Sequence, residues 1–154
     1  MRWKKGEATI EAMLAAGELL RGSATDEHTA FLLKTAMGYL RTAHRAFDDD
    51  DLEQSIANAW ESARLAMSYV LARQGLRAAG RDTHVVVLNA ARAQYLDKTA
   101  LEDPTRNLRQ RRHDLNYPEA GVVPASLQET QIYLDAVDSL LNKVVELSPH
   151  FDIF

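Results

Sequence analysis

Apolar residues recur three and four positions apart along most of the chain, which is the period of an α-helix. Ile10, Met13 and Leu14, with Gly17 or Leu20, open the pattern and predict a helix over about residues 7–21, ended by Gly22-Ser23. Thr25 or Asp26 can cap a second helix to about Phe47, with Leu32 or Leu33, Ala36, Tyr39 or Leu40, and Ala43 turned inward. From Leu52 a third helix carries Ile56, Ala59, Trp60, Ala63, Met67, Val70 and Leu71 on one stripe and stops near Gly75, with Trp60 as a core anchor. Residues 75–81 read as a connecting loop, and Thr83 is suited to cap a fourth helix through about Tyr95. Val85, Val86 and Val87 would suit a strand, but no other segment has comparable β character to pair with, so helix is preferred. Pro104 fits the first position of a short fifth helix that must end before Pro118. Ser126 with Glu129 makes a capping box for a last helix, whose positions 127, 130, 134, 137, 141 and 144 form a heptad seam. The expectation is an all-α, up-and-down bundle of about five to six helices, forming a single domain over residues 1–154.

Ala and Leu supply 43 of the 154 residues whereas Gly and Pro supply 11, so helix formers are abundant and breakers scarce. With no Cys, disulfide and metal–thiolate scaffolds are excluded, and a reducing cytoplasm is the expected setting. A net charge of −4 excludes a polybasic protein that neutralises phosphates over its whole surface. Arg2, Lys4 and Lys5 resemble the positive start of a signal peptide, but Glu7 and Glu11 interrupt any apolar stretch after them. Val85 to Leu88, the strongest apolar run, is far too short to span a bilayer, so no membrane partner is expected. The acidic run at positions 48–51 has the carboxylates a hard cation wants. Asp50 followed by Glu53 also has capping-box spacing, and acidic side chains favour a helix start, which accounts for the run without a metal.

One segment reverses the charge. Between Thr105 and His113 lie Arg106, Arg109, Arg111 and Arg112 with no acid, so this stretch carries +4 while the remainder carries −8. At about 100° per residue, Arg106, Arg109, His113, Asn116 and Tyr117 share one helix face, with Leu108 and Leu115 roughly opposite to dock the helix. Arg106 and His113 stand two turns apart, roughly 10.5 Å of rise, a span one phosphate with its ribose can bridge. Histidine can move a proton near neutral pH and arginine can hold phosphate oxygens through its planar fork, so the face suits cleavage of an RNA phosphodiester by its own 2′-hydroxyl. The same residues suit phosphate or RNA binding without turnover, or salt-bridged scaffolding such as Arg111 with Asp114 at i,i+3. His28, His44, His84 and His150 lack a second ligand at metal-binding spacing and read as surface or cap residues. Gly-rich phosphate loops, serine nucleophile elbows and zinc patterns are absent from the sequence, and no cofactor is implied.

The alanine-rich helix, glycine turn and His-containing helix of AWESARLAMSYVLARQGLRAAGRDTHVVVLNAARAQY, followed by the basic segment RNLRQRRHDLNYP, resemble the HEPN family (higher eukaryotes and prokaryotes nucleotide-binding domain). The resemblance runs from about Ile10 to Leu147. In active members an Arg followed by a polar residue precedes a His by four to six intervening positions, and Arg106-Asn107 followed by His113 is similar. It implies a helical bundle, usually a homodimer with a shared cleft, acting as a metal-independent endoribonuclease, often a toxin with an antitoxin partner or an antiviral effector. Carried over, Arg106 and His113 would be the catalytic pair and Asn107 their polar supporter, with Arg109, Arg112, Asn116 and Tyr117 contacting RNA. A second alignment sets Arg111-Arg112-His113 and Tyr117 against the Arg-Arg-Asn and following Tyr of other relatives. It implies a non-catalytic module that binds nucleotide, RNA or a partner protein through the same helix.

Overall fold

A computed structural model describes residues 3–96 and 102–154, excepting the side chains of 102–104. Among these residues are six α-helices, α1 (Glu7–Ala15), α2 (Asp26–Asp48), α3 (Leu52–Arg73), α4 (Thr83–Gln94), α5 (Glu102–Asn116) and α6 (Leu127–Leu147). Two three-residue strands, β1 (Leu19–Arg21) and β2 (Leu76–Ala78), and a 3₁₀ turn at Ser148–His150 complete them. The protein is all-α.

The long hairpin of α2 and α3 is the centre. Its helices approach closely because small residues face each other, Ala36 and Ala43 on α2 against Ala59, Ala63 and Ala66 on α3, all fully buried. Two serines seven residues apart on α3 fasten the pair. Ser55 Oγ donates to the Ala43 carbonyl at 2.9 Å and Ser62 Oγ to the Ala36 carbonyl at 2.7 Å, so one heptad on α3 matches one on α2 in antiparallel register. α6 lies across both helices, burying Leu134, Val137, Leu140 and Val144, while His44 and Asp138 pair at 3.1 Å at the edge. Trp60 is fully buried, as expected of a core anchor.

Four local expectations are corrected. The first helix stops at Ala15, because Gly17 (φ 73°) takes the left-handed position of a Schellman motif, with Gly17 N–H to the Leu14 carbonyl at 3.1 Å and Glu18 N–H to the Met13 carbonyl at 3.0 Å. The chain beyond it turns extended and Leu19, not Leu20, is buried. Part of the expected loop at 75–81 supplies its partner strand, Leu19 opposite Ala78 and Arg21 opposite Leu76 in antiparallel register. Asp50 does not cap α3. At φ 59° it closes α2 in the same Schellman geometry, with its N–H on the Phe47 carbonyl and that of Asp51 on the Ala46 carbonyl, while Glu53 accepts from the Ala125 N–H at 3.2 Å. Leu127, at the head of the expected seam, is 56% exposed.

Other boundaries agree with the pattern. Thr25 caps α2 by accepting from the His28 N–H at 3.1 Å, and Ser126 with Glu129 forms the full capping box of α6. The valine run is helical, within α4. Asp82 precedes α4 where Thr83 was expected to cap it, and Thr83 is its first helical residue. α5 begins two residues before Pro104. Gln74 and Gln94, both buried, exchange amide hydrogen bonds of 2.6 and 3.1 Å and lock the end of α3 to the end of α4.

Candidate functional site

α5 packs on α3 and α6 through Leu108, fully buried, and through Leu115, partly buried. Those two residues are the ones placed opposite the cations by helical phase, and the anchored face turns the remainder outward. Arg106, Asn107, His113, Asn116 and Tyr117 are exposed, and Arg109 is half-buried. The His113 ring lies 5.1 Å from that of Tyr117, tilted by 43°, so the last turn of α5 presents an imidazole resting on a phenol that is itself 65% exposed.

The two remaining arginines face the body of the protein. Arg111 donates from Nε to Glu129 Oε1 at 2.6 Å, and its NH2 reaches Glu129 Oε2 at 3.3 Å and the Val123 carbonyl at 2.6 Å. The expected local pair with Asp114 gives way to this contact, and Asp114 instead accepts from Gln110 at 2.8 Å. Glu129 therefore serves both the capping box of α6 and the docking of α5. Arg112 leans toward α3, where its NH2 lies 3.9 Å from Glu61 Oε1 and its Nε is buried without a hydrogen-bond partner.

Glu61 is the centre of a cross-helix cluster. Its Oε2 accepts from Arg64 Nε at 2.9 Å and NH2 at 2.7 Å, so one carboxylate is set between guanidiniums of α3 and α5. His84, in the first turn of α4, joins them with its ring 6.0 Å from Trp60. Burial, then the positive charge of Arg64 with further contributions from Arg112 and Arg109, lowers its pKa below the usual 6.5, while Glu61 opposes the shift. The positive potential of α5 thus extends over α3 to the start of α4. Sequence reasoning missed Arg64 and His84 because their nearness to Arg109 and Arg112 is tertiary. The one local signal was the i,i+3 spacing of Glu61 and Arg64.

The face can bind phosphates, stack a base, stabilise developing negative charge and move a proton near neutral pH. No helix among the described residues is long and apolar enough to cross a membrane. No curated protein and no solved structure matches the chain. A family model described as HEPN domain matches residues 29–147, more than three quarters of the sequence.

Proposed function

The chain belongs to the HEPN domain family, and from that premise we propose that it is a metal-independent endoribonuclease of toxin or defence type, with Arg106 and His113 as its catalytic pair. The family is associated with ribonuclease and nucleotide-binding roles. The supporting observation is a division of labour on α5. Arg111 is committed to Glu129 and Leu108 to the core, while Arg106 and His113 remain on the exposed face two turns apart.

In the proposed reaction the 2′-hydroxyl attacks the adjacent phosphorus and the bond from phosphorus to the 5′ oxygen breaks. The products are a 2′,3′-cyclic phosphate and a 5′-hydroxyl. The proton lost by one hydroxyl matches that gained by the other, with no redox change and no co-reactant. His113 exchanges that proton and Arg106 holds the nonbridging oxygens, whose charge grows at the pentacoordinate stage. Asn107 supports Arg106, Arg109 and Asn116 hold neighbouring phosphates or sugars, and Tyr117 offers a stacking surface. Arg112 is a weaker RNA contact, because it leans on Glu61. A second copy of the chain would complete the cleft, and the exposed Val123, Leu127 and Ile132 beside α5 are apolar surface that such a copy could cover. An antitoxin protein is the other partner of this reading.

The His113–Tyr117 ring contact favours one alternative, a non-catalytic module in which those rings form a binding platform for RNA, nucleotide or a partner protein. The test is cleavage of RNA by purified protein in chelator, comparing the native chain with Arg106→Ala and His113→Ala. Loss of cleavage in both variants, with helicity and oligomeric state unchanged, supports the enzyme. RNA binding without turnover by the native chain selects the module.

A further inference from the structure

A cavity of about 360 Å³ opens on the side of the bundle where the two-stranded sheet meets the start of α2, the second half of α3 and the start of α4. In a chain with four more acids than bases, the charged side chains lining it are all basic: Arg64, Arg77, His28 and His84, with no carboxylate among the described lining residues. Ser23, Ser68 and Thr83 add hydroxyls. The opposite wall is apolar, formed by Leu32, Leu71, Leu76 and Val87. The first turns of two long helices, at His28 of α2 and at Thr83 and His84 of α4, reach the cavity, bringing the positive ends of their dipoles.

We propose that this cavity is a binding site for a phosphate monoester carried on a compact, flat or apolar body, of the class of a nucleoside monophosphate. The cations and helix starts take the phosphate and the leucine wall takes the body. At this volume the cavity is near the lower end for small-molecule sites, which suits one nucleotide and excludes a dinucleotide. Two facts strengthen the electrostatic side. Glu61, the nearby carboxylate that binds Arg64, stands outside the lining and is itself shared with Arg112 of α5. The neutral form of His84 is favoured by burial and by three guanidiniums, so the site carries an excess of positive potential that an arriving dianion relieves. The site is separate from the outer face of α5 and does not rest on the ribonuclease reading; Arg64 and His84 are a wall between the two.

The test is calorimetric titration of the full chain with adenosine and uridine monophosphate, using the nucleosides and inorganic phosphate as comparisons. Expected is binding of the nucleotides at least tenfold tighter than of nucleoside or phosphate, weakened tenfold or more in the double variant His28→Gln, Arg77→Gln and unchanged in Arg106→Ala, His113→Ala. Because His28 and Arg77 are exposed, that pair should fold normally. Should it not, movement of the His28 and His84 ring proton signals in the native chain on adding nucleotide decides the matter instead. Equal affinity for nucleoside, equal affinity for phosphate alone, or indifference to the His28 and Arg77 substitutions overturns the proposal. Displacement of bound nucleotide by a 5′-phosphorylated but not a 5′-hydroxyl oligoribonucleotide identifies the natural source as an RNA end; failure of both to compete identifies a free nucleotide. Loss of nucleotide binding in Arg106→Ala, His113→Ala would place the anion on α5 and overturn the separate cavity site, whereas loss of RNA cleavage alone bears only on the α5 reading.

Discussion

Replacing Arg111 by Ala separates the role of α5 as a scaffold from its role as a working surface. The substitution removes the two-pronged contact with Glu129 and the bond to the Val123 carbonyl. The Arg111 and Glu129 side chains are 16% and 28% exposed, between the open surface, where a pair contributes about 0–1 kcal/mol, and the interior, where a charged hydrogen bond contributes about 1.5–3 kcal/mol. Glu129 keeps its capping-box contacts at the start of α6, so its carboxylate is not left without a partner, and the expected loss is about 2 kcal/mol. For a chain of this size that lowers the melting midpoint by roughly 4–8 °C. Urea unfolding at neutral pH gives the stability, and cleavage per folded molecule is measured well below the midpoint. Activity should stay within about threefold of the native chain, because Arg111 points about 140° away from Arg106. A stability change under about 0.5 kcal/mol, or a cleavage defect matching that of Arg106→Ala, would refute the assignment of Arg111 to the buried side of the helix.

Leu108→Ala deletes a fully buried side chain beneath the basic face and should cost about 2–5 kcal/mol by chemical unfolding, with RNA affinity falling as α5 loosens. Gln94→Leu leaves the buried Gln74 amide without its partner, an expected loss of about 1–3 kcal/mol; adding Gln74→Leu should recover part of it in a double-mutant cycle. Because the folded state holds the His84 pKa below 6.5, the unfolded chain binds more protons just below that pH. Stability should therefore be flat above about pH 6.5 and fall as pH drops through the unfolded pKa toward the folded one, and denaturation midpoints in His84→Gln should show a shallower fall.

Much of the bundle was readable because it rests on local rules. The stripe from Leu52 to Leu71 keeps one face apolar at 3.6-residue spacing, and all its residues are buried. Ser126 and Glu129 announce a helix start by themselves, since both hydrogen bonds of a capping box join residues three apart. The failures came where one local signal had two uses. Gly17 stood within an otherwise helical pattern and proved to be the stop, and Asp50 suited a cap of α3 but closed α2, because an aspartate tolerates the left-handed region better than most residues. The strands escaped notice because three-residue segments acquire β character only from each other, across more than fifty positions of sequence.

The site divides in the same way. Helical phase and the two leucines sufficed to put Arg106, Arg109, His113, Asn116 and Tyr117 on the outer face of α5, because residue angles around a helix are intrinsic to its backbone. Tertiary packing alone decided that Glu129 would take Arg111, that Glu61 would be shared between Arg64 and Arg112, and that His84 would sit among guanidiniums beside a cavity free of acids on its described walls. Electrostatic partners are set by distance in space, and only the folding of α3, α4, α5 and α6 onto one another brings those charges within range.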